Sequence, residues 1–258
     1  MSGSMPFDRA AEYYDRTRSM SEEAAREVTA LLVEELRGRG RCLEIGVGTG
    51  IVALSLAAAG IPMAGLDLSE PMLAKLVDKA GGRPPFPLVR ADATLLPFAD
   101  DRFGGAVVRH VLHLVPRWRV VVAELVRVVA RGGVIVMTRG DIPAAWRAAT
   151  DRFIELVGEP SFFAGLSAWD PGTLDAEFAE HGAPARSLPP VPERVPQTLE
   201  VFLEQMADGL HSWTWEVEEG RRREAAEEVR RWAMETYGSL DPPGSRDVAI
   251  EWRAYDLP

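Results

Sequence analysis

The run Leu43–Glu44–Ile45–Gly46–Val47–Gly48–Thr49–Gly50 has the residue types of a ligand cradle. Glycine has no Cβ and accepts positive φ, so a ligand can approach the backbone closely. An apolar strand before such a turn, and a helix after it, present oriented N–H groups at the helix start. A dinucleotide could use this arrangement, but its fingerprint requires glycines at G-x-G-x-x-G. Counted from Gly46, the third glycine position falls on Ile51, and the glycine comes one residue early, at Gly50. Glu44 stands two residues before the first glycine. A carboxylate there repels a diphosphate and suits a ligand's amino group. Further along, His110 and His113 follow an apolar run. An imidazole there could take a proton from an attacking hydroxyl or amine. The plainer alternative has His113 packing at a helix start and His110 lining a crevice. Cys42 lies inside the strand that feeds the glycines, which excludes it as an attacking thiol.

These residues need elements to hold them. Between Ser21 and Leu36 apolar residues recur at helical spacing, with Glu22 and Glu23 near the positive end. Cys42–Ile45 predicts a short buried strand, and Ile51–Ala59 a helix. Met63–Leu66 predicts a second strand. Ser69 caps a helix with Pro71 in its first turn, running to about Ala80. Leu88–Val89 and Gly105–Arg109 predict a third and fourth strand, Pro116–Ala130 a helix, and Gly132–Gly133 a turn into a fifth strand at Val134–Met137. Strands alternating with such helices imply right-handed crossovers and a doubly wound, mostly parallel α/β sheet covered on both faces.

The second half reads differently. Helical patches at Ile142–Leu156, Pro171–His181, Thr198–Met206 and Val217–Tyr237 are separated by proline-rich loops. Ala185–Val195 reads as a proline-interrupted edge strand. Asp247–Leu257 reads as one late strand, with Val248, Ile250 and Trp252 alternating. The segment between them, about 196–245, is expected to be a helical lid or insertion on the sheet. Residues 1–140 then form an α/β core with N-terminal cap helices, and 141–258 supply the rest of the sheet and the lid. Trp146, Phe162, Phe163, Trp169, Trp213 and Trp215 could wall an apolar pocket there, although ordinary packing accounts for any one of them.

Composition narrows the partners. The chain has 258 residues, 29 basic and 39 acidic, and a formal net charge of -10. Nucleic acid favours basic surfaces because counterion release drives binding, so a nucleic-acid partner is not expected. One cysteine allows neither an internal disulfide nor a thiolate metal cluster, and no metal is expected. A reducing, cytoplasmic setting is the default. No segment has the length of a membrane helix or the pattern of a signal peptide, so no membrane partner is expected either. The assembly is expected to be a monomer or homodimer.

With the strand order in place, the glycine run resembles motif I of the class I S-adenosylmethionine-dependent methyltransferases, in particular their small-molecule, type-11-like members. The similarity runs over residues 7–140. It implies a Rossmann-like seven-stranded sheet, S-adenosylmethionine as cofactor and S-adenosylhomocysteine as product. It also implies roles. Glu44, Gly46, Gly48 and Gly50 would meet the methionine portion. Asp67, at the end of the second strand and 17 residues beyond Gly50, would accept both ribose hydroxyls, as a carboxylate can. Leu68 and Met72 would pack on adenine, with Asp92 accepting from its amino group and the Ala93 N–H donating to the ring. Arg109 would touch the cofactor through its carbonyl. Tyr14 and Arg18, in the lead-in Phe7–Arg18, would fold over it. His110 and His113 fall where such enzymes place groups that face the acceptor. Leu95–Phe103 resembles the family's approach to the fourth strand with one departure. Gly104 stands where Asp is usual, and this is expected to be a turn position of small consequence.

The implied activity is methyl transfer to O, N or C of a small molecule. Two rival readings are a nucleic-acid or protein methyltransferase and a non-catalytic S-adenosylmethionine-binding protein. Asp241–Pro242–Pro243–Gly244 resembles the tetrapeptide of amino-methylating DNA enzymes. It lies far from the fourth strand and ends in glycine instead of an aromatic, so it carries no such role.

Overall fold

The computed structural model describes residues 4–138, 142–158, 165–166 and 171–258. A short N-terminal helix α1 (Tyr14–Arg18) leads into α2 (Glu22–Leu36). The Ser21 hydroxyl caps α2 by accepting from the Ala24 N–H. Then follow β1 (Cys42–Ile45), α3 (Ala53–Ala58), β2 (Met63–Asp67), α4 (Glu70–Lys79), β3 (Leu88–Arg90), β4 (Phe103–Arg109), α5 (Trp118–Val128) and β5 (Val129–Thr138). Ser69 caps α4 through the Met72 N–H, and Pro71 sits in its first turn. The later elements are α6 (Ala144–Val157), α7 (Pro171–Glu180), β6 (Ala185–Ser187), β7 (Val191–Arg194), α8 (Leu199–Ala207), α9 (Glu219–Tyr237), β8 (Asp247–Ile250) and β9 (Trp252–Asp256).

Seven strands form one sheet in the order β3-β2-β1-β4-β5-β9-β6. β1 to β5 are parallel, and β9 runs antiparallel between β5 and β6. Strand order reverses between β1 and β4, so a crevice opens beyond their carboxyl ends, where such sheets bind ligands. Both faces are buried. Leu43, Ile45, Val108, Ile135 and Met137 pack with Trp118 and Leu125 on one side. Cys42, Met63, Val107, Val134 and Val136 pack with Val28, Leu32 and Leu56 on the other. This two-sided burial explains why the strands read as unbroken apolar runs. A third cluster joins α6, α8 and α9 through Trp146, Phe153, Phe202, Leu203 and Val229.

Three expectations need correction. Asp247–Leu257 is not one strand. The chain changes partner at Glu251, so β8 pairs with β7 in a separate two-stranded sheet while β9 joins the main one. Alternation persists through the change, because Ile250 and Trp252 are both buried beside exposed Glu251. Ala185–Val195 divides in the same way: β6 edges the main sheet and β7 does not. Gly104 and Gly132–Gly133 lie within strands β4 and β5, not in turns. The β4/β5 register shifts between Phe103 and Gly105. A Cβ on Gly104 would fall 1.4 Å from the Arg39 carbonyl oxygen, so backbone contact excludes every side chain there, aspartate included.

Candidate active site

The loop after β1 takes its shape from its glycines. Gly46 and Gly48 have φ of +63° and +53°. A Cβ on Gly46 would come 2.2 Å from Val111 Cγ2, and one on Gly48 would come 3.2 Å from Met72 Cε. Both line a cavity of about 80 Å³. Gly50 does not. Its missing Cβ makes room for Leu54 and Leu76, each 2.9 Å from where it would stand, so this glycine seats the loop on α3 and α4.

The carboxylate of Asp67, at the end of β2, is held from two sides. The Gly48 N–H donates to Oδ2 and the Ser69 N–H to Oδ1, both at 2.8 Å. A carboxylate has four acceptor sites, so capacity is left for a further donor. Asp92 is fixed through Oδ1, which accepts from the Thr94 N–H at 2.8 Å, the Thr94 hydroxyl at 2.7 Å and the Ser4 hydroxyl at 3.1 Å. Leu68, Met72, Asp92 and Ala93 line the same small cavity as Asp67 and the two glycines.

Glu44 lies deeper, only 3% exposed, and is not part of that cavity's lining. Its Oε2 has no hydrogen-bond partner among the described residues. Burial pushes its pKa up to about 8, with the nearby Arg109 charge acting against the rise. A buried, unpartnered carboxyl oxygen costs stability until a donor meets it. A ligand ammonium is such a donor.

A larger cavity, about 240 Å³, opens beside the first. Phe7, Tyr14 and His110 line both. His110 follows β4 directly and holds φ of +55°, a left-handed conformation rare for a residue with a side chain. Such strain persists where surrounding structure over-determines it, often at functional sites. Burial holds the His110 pKa well below its ordinary value, helped by the Arg109 charge. His113 lines only the larger cavity, and burial lowers its pKa to about 4. Both rings are therefore neutral at pH 7.

Arg18 and Arg109 also line the larger cavity and not the smaller one. An Arg109 guanidinium N–H donates to the Arg18 carbonyl at 2.9 Å. Of the aromatic residues of the second half, Trp146, Phe202 and Trp213 line the larger cavity. Trp215 instead packs on Phe7, with ring centroids 5.1 Å apart. Phe162, Phe163 and Trp169 lie outside the described residues.

Four groups escaped the sequence reading. His211 is 4% exposed, and its Nδ1 lies 3.2 Å from the Arg18 guanidinium. Glu193 accepts from the N–H and hydroxyl of Ser21. Gln205 and Gln197 complete the wall. No motif marks them, and they meet Arg18 and Tyr14 only because the chain folds back over α1.

Among the described residues no cluster of three or more His, Cys, Asp or Glu side chains could hold a metal, and no helix is long and apolar enough to cross a membrane.

Comparison with known proteins bears on this geometry. Residues 43–137 match a family model described as a methyltransferase domain. The phosphatidylethanolamine N-methyltransferase of Cereibacter sphaeroides is 35% identical over 160 residues, covering 58% of this chain and 77% of that protein. The demethylmenaquinone methyltransferase of Clavibacter sepedonicus is 34% identical over 141 residues, 53% of this chain and 57% of that protein. The chain thus spans most of the first relative and little over half of the second. A solved structure of phospholethanolamine N-methyltransferase 2 from Haemonchus contortus, in complex with phosphomonomethylethanolamine and S-adenosylhomocysteine, matches with a TM-score of 0.59 at 14% identity. The match covers 98% of this chain and 58% of that one, which is a likeness of fold.

Proposed function

The chain belongs to the class I S-adenosylmethionine-dependent methyltransferases, and from that premise we propose that the small cavity holds the cofactor and the large one a small-molecule acceptor. The observation that carries this reading is the pair of cavities meeting at Tyr14 and His110, beyond the strand ends where the sheet order reverses.

The donor set fits the cofactor. The unpartnered oxygen of Glu44 answers an ammonium. Asp67, already oriented by two backbone N–H groups, answers a ribose diol. Asp92 and the Ala93 N–H answer an adenine edge, with Leu68 and Met72 on its faces. Gly46 and Gly48 leave the space a side chain would fill. When bound, the cofactor supplies a methyl group already activated by its sulfonium charge.

The protein's share is then positioning and dryness. Holding a nucleophile in line can remove roughly 7–11 kcal/mol of barrier. Phe7 and Tyr14 from the N-terminal segment, and α6 and α8 from the second half, shut water from the junction. His110, neutral at pH 7, accepts the acceptor's proton as the O, N or C nucleophile loses it. His113, kept neutral down to about pH 4 by burial, lines the acceptor cavity alone and stands off the junction. Residues 1–140 act as the cofactor core and 141–258 as the acceptor half, with the lid at about 196–245. The lone, buried Cys42 suits a cytoplasmic setting.

Isothermal titration with S-adenosylmethionine, S-adenosylhomocysteine and NAD tests the reading, with Asp67→Ala as control. Binding of the first two, lost in the variant, is the expected result. Binding of NAD alone, or of none, overturns it.

A further inference from the structure

The polar lining of the larger cavity carries information on the acceptor that the family does not. Its walls are mainly apolar and aromatic: Trp146 stacks on Phe202 with centroids 4.5 Å apart and planes at 17°, and Trp213 lies 5.5 Å from the His211 ring at 20°. An aromatic wall of this kind favours a ring ligand.

Against this apolar wall, two cavity-lining side chains hold buried nitrogen atoms with no partner among the described residues: Trp146 Nε1 and His211 Nε2. Both are donors. Indole N–H cannot accept. The His211 tautomer follows from its neighbour: Arg18 has only N–H groups to offer at 3.2 Å, so His211 Nδ1 accepts and Nε2 carries the proton. A buried donor without a partner is costly, so the natural occupant brings lone pairs to both. Gln205 Oε1, also unpartnered, accepts from a hydroxyl.

Charge points the same way. Arg18 and Arg109 line the cavity, and Glu193, the carboxylate that lines it, is taken by Ser21. A cationic acceptor would face two guanidiniums against one carboxylate, itself already hydrogen-bonded to Ser21.

Resting on the methyltransferase reading above, we propose that the acceptor is a planar ring compound bearing a hydroxyl or related oxygen function, neutral or anionic, and not an ammonium. The relative from Cereibacter sphaeroides is named for an amine acceptor; the lining of this cavity separates the two.

Equilibrium dialysis of the full chain, saturated with S-adenosylhomocysteine at pH 7.5, tests this with three probes of one shape: 1-naphthol, naphthalene and 1-naphthylmethylamine, which is protonated at that pH. The expected result is 1-naphthol binding at least tenfold more tightly than the ammonium. Trp146→Phe and His211→Phe keep a ring in place and remove one donor each. Each is expected to weaken 1-naphthol about threefold to tenfold and to leave naphthalene unchanged. Ammonium binding as tight as naphthol overturns the proposal. So does an equal loss for naphthol and naphthalene in both variants, since that reports only lost packing. S-adenosylhomocysteine binding without any naphthol binding overturns the acceptor proposal alone. Failure of S-adenosylhomocysteine to bind the unaltered protein removes the methyltransferase reading and this proposal with it.

Discussion

The two cavities are built on opposite plans. Around the smaller one, the polar groups are already held by nearby backbone: Asp67 by Gly48 and Ser69, and Asp92 by Thr94. Around the larger one, polar atoms on Trp146, Gln205 and His211 stand unpartnered in an aromatic wall. The first is preorganised for one fixed ligand, and Glu44 lies behind its wall. The second leaves several groups for the ligand to satisfy. A shared cofactor tolerates a rigid site; an acceptor is discriminated by what it must pair, because a buried donor left unpaired penalises the wrong molecule.

If the smaller site is rigid, adding one methyl group to its loop is expected to do the greatest damage. Gly46→Ala meets Val111 and must also adopt positive φ. Calorimetry is expected to find S-adenosylhomocysteine binding reduced more than about 100-fold, in line with losing ~3 kcal/mol to strain and displaced contacts. Retained binding would mean that the loop yields and that the contrast between the sites is false.

Next comes His110, at the junction. Its replacement by Ala is expected to lower kcat about 10²-fold, within the range for proton transfer, while His113→Ala costs less than about tenfold. Neither is expected to change S-adenosylhomocysteine affinity by more than about threefold. A larger effect at His113, measured by initial rates, would move the base away from the junction.

Glu44 gives a pH signature. Its pKa of about 8 in the folded protein lies above the ordinary carboxyl value of 4.5, so at neutral pH the free protein holds it largely protonated. Binding an ammonium requires the charged form. Affinity for S-adenosylhomocysteine is therefore expected to rise with pH, by up to about tenfold per unit, and to level near pH 8. Stability of the free protein has the opposite slope. The raised pKa contributes fully below about pH 4.5, and the contribution is lost as pH rises towards 8. Glu44→Gln is expected to flatten both curves. A calorimetric pH series for affinity and a melting series from pH 5 to 8 check the two slopes, and unchanged slopes in the variant would assign them elsewhere.

The smallest effect is expected at Arg18. Arg18→Gln removes the guanidinium that fixes the His211 tautomer. The acceptor KM is expected to rise about threefold to tenfold with S-adenosylhomocysteine affinity unchanged. A matching loss in cofactor affinity would place Arg18 in the smaller site instead.

The same contrast explains what could be read from the sequence. Gly46, Gly48, Asp67 and Asp92 lie at or just beyond the ends of successive parallel strands, so their spacing follows from the βαβ repeat itself. The larger cavity draws on α1, β4, α6, β7 and α8, and on the 3₁₀ turn Ser212–Thr214. Nothing periodic links Arg18 to His211, 193 residues apart. The late strands misled for a related reason: alternation reports burial, and burial continued from Ile250 to Trp252 while the pairing partner changed. Gly104 was legible only as an anomaly, since its cause is a carbonyl in the loop before β1.

The N-terminal segment has a consequence for the rhythm of turnover. Ser4, Met5 and Phe7 form part of the wall of the smaller cavity, Ser4 is hydrogen-bonded to Asp92, and Tyr14 and Phe7 stand over both chambers. If the smaller cavity holds the cofactor as proposed, this segment is part of its wall, and removing residues 4–7 is expected to speed release of S-adenosylhomocysteine, as stopped-flow dissociation would measure.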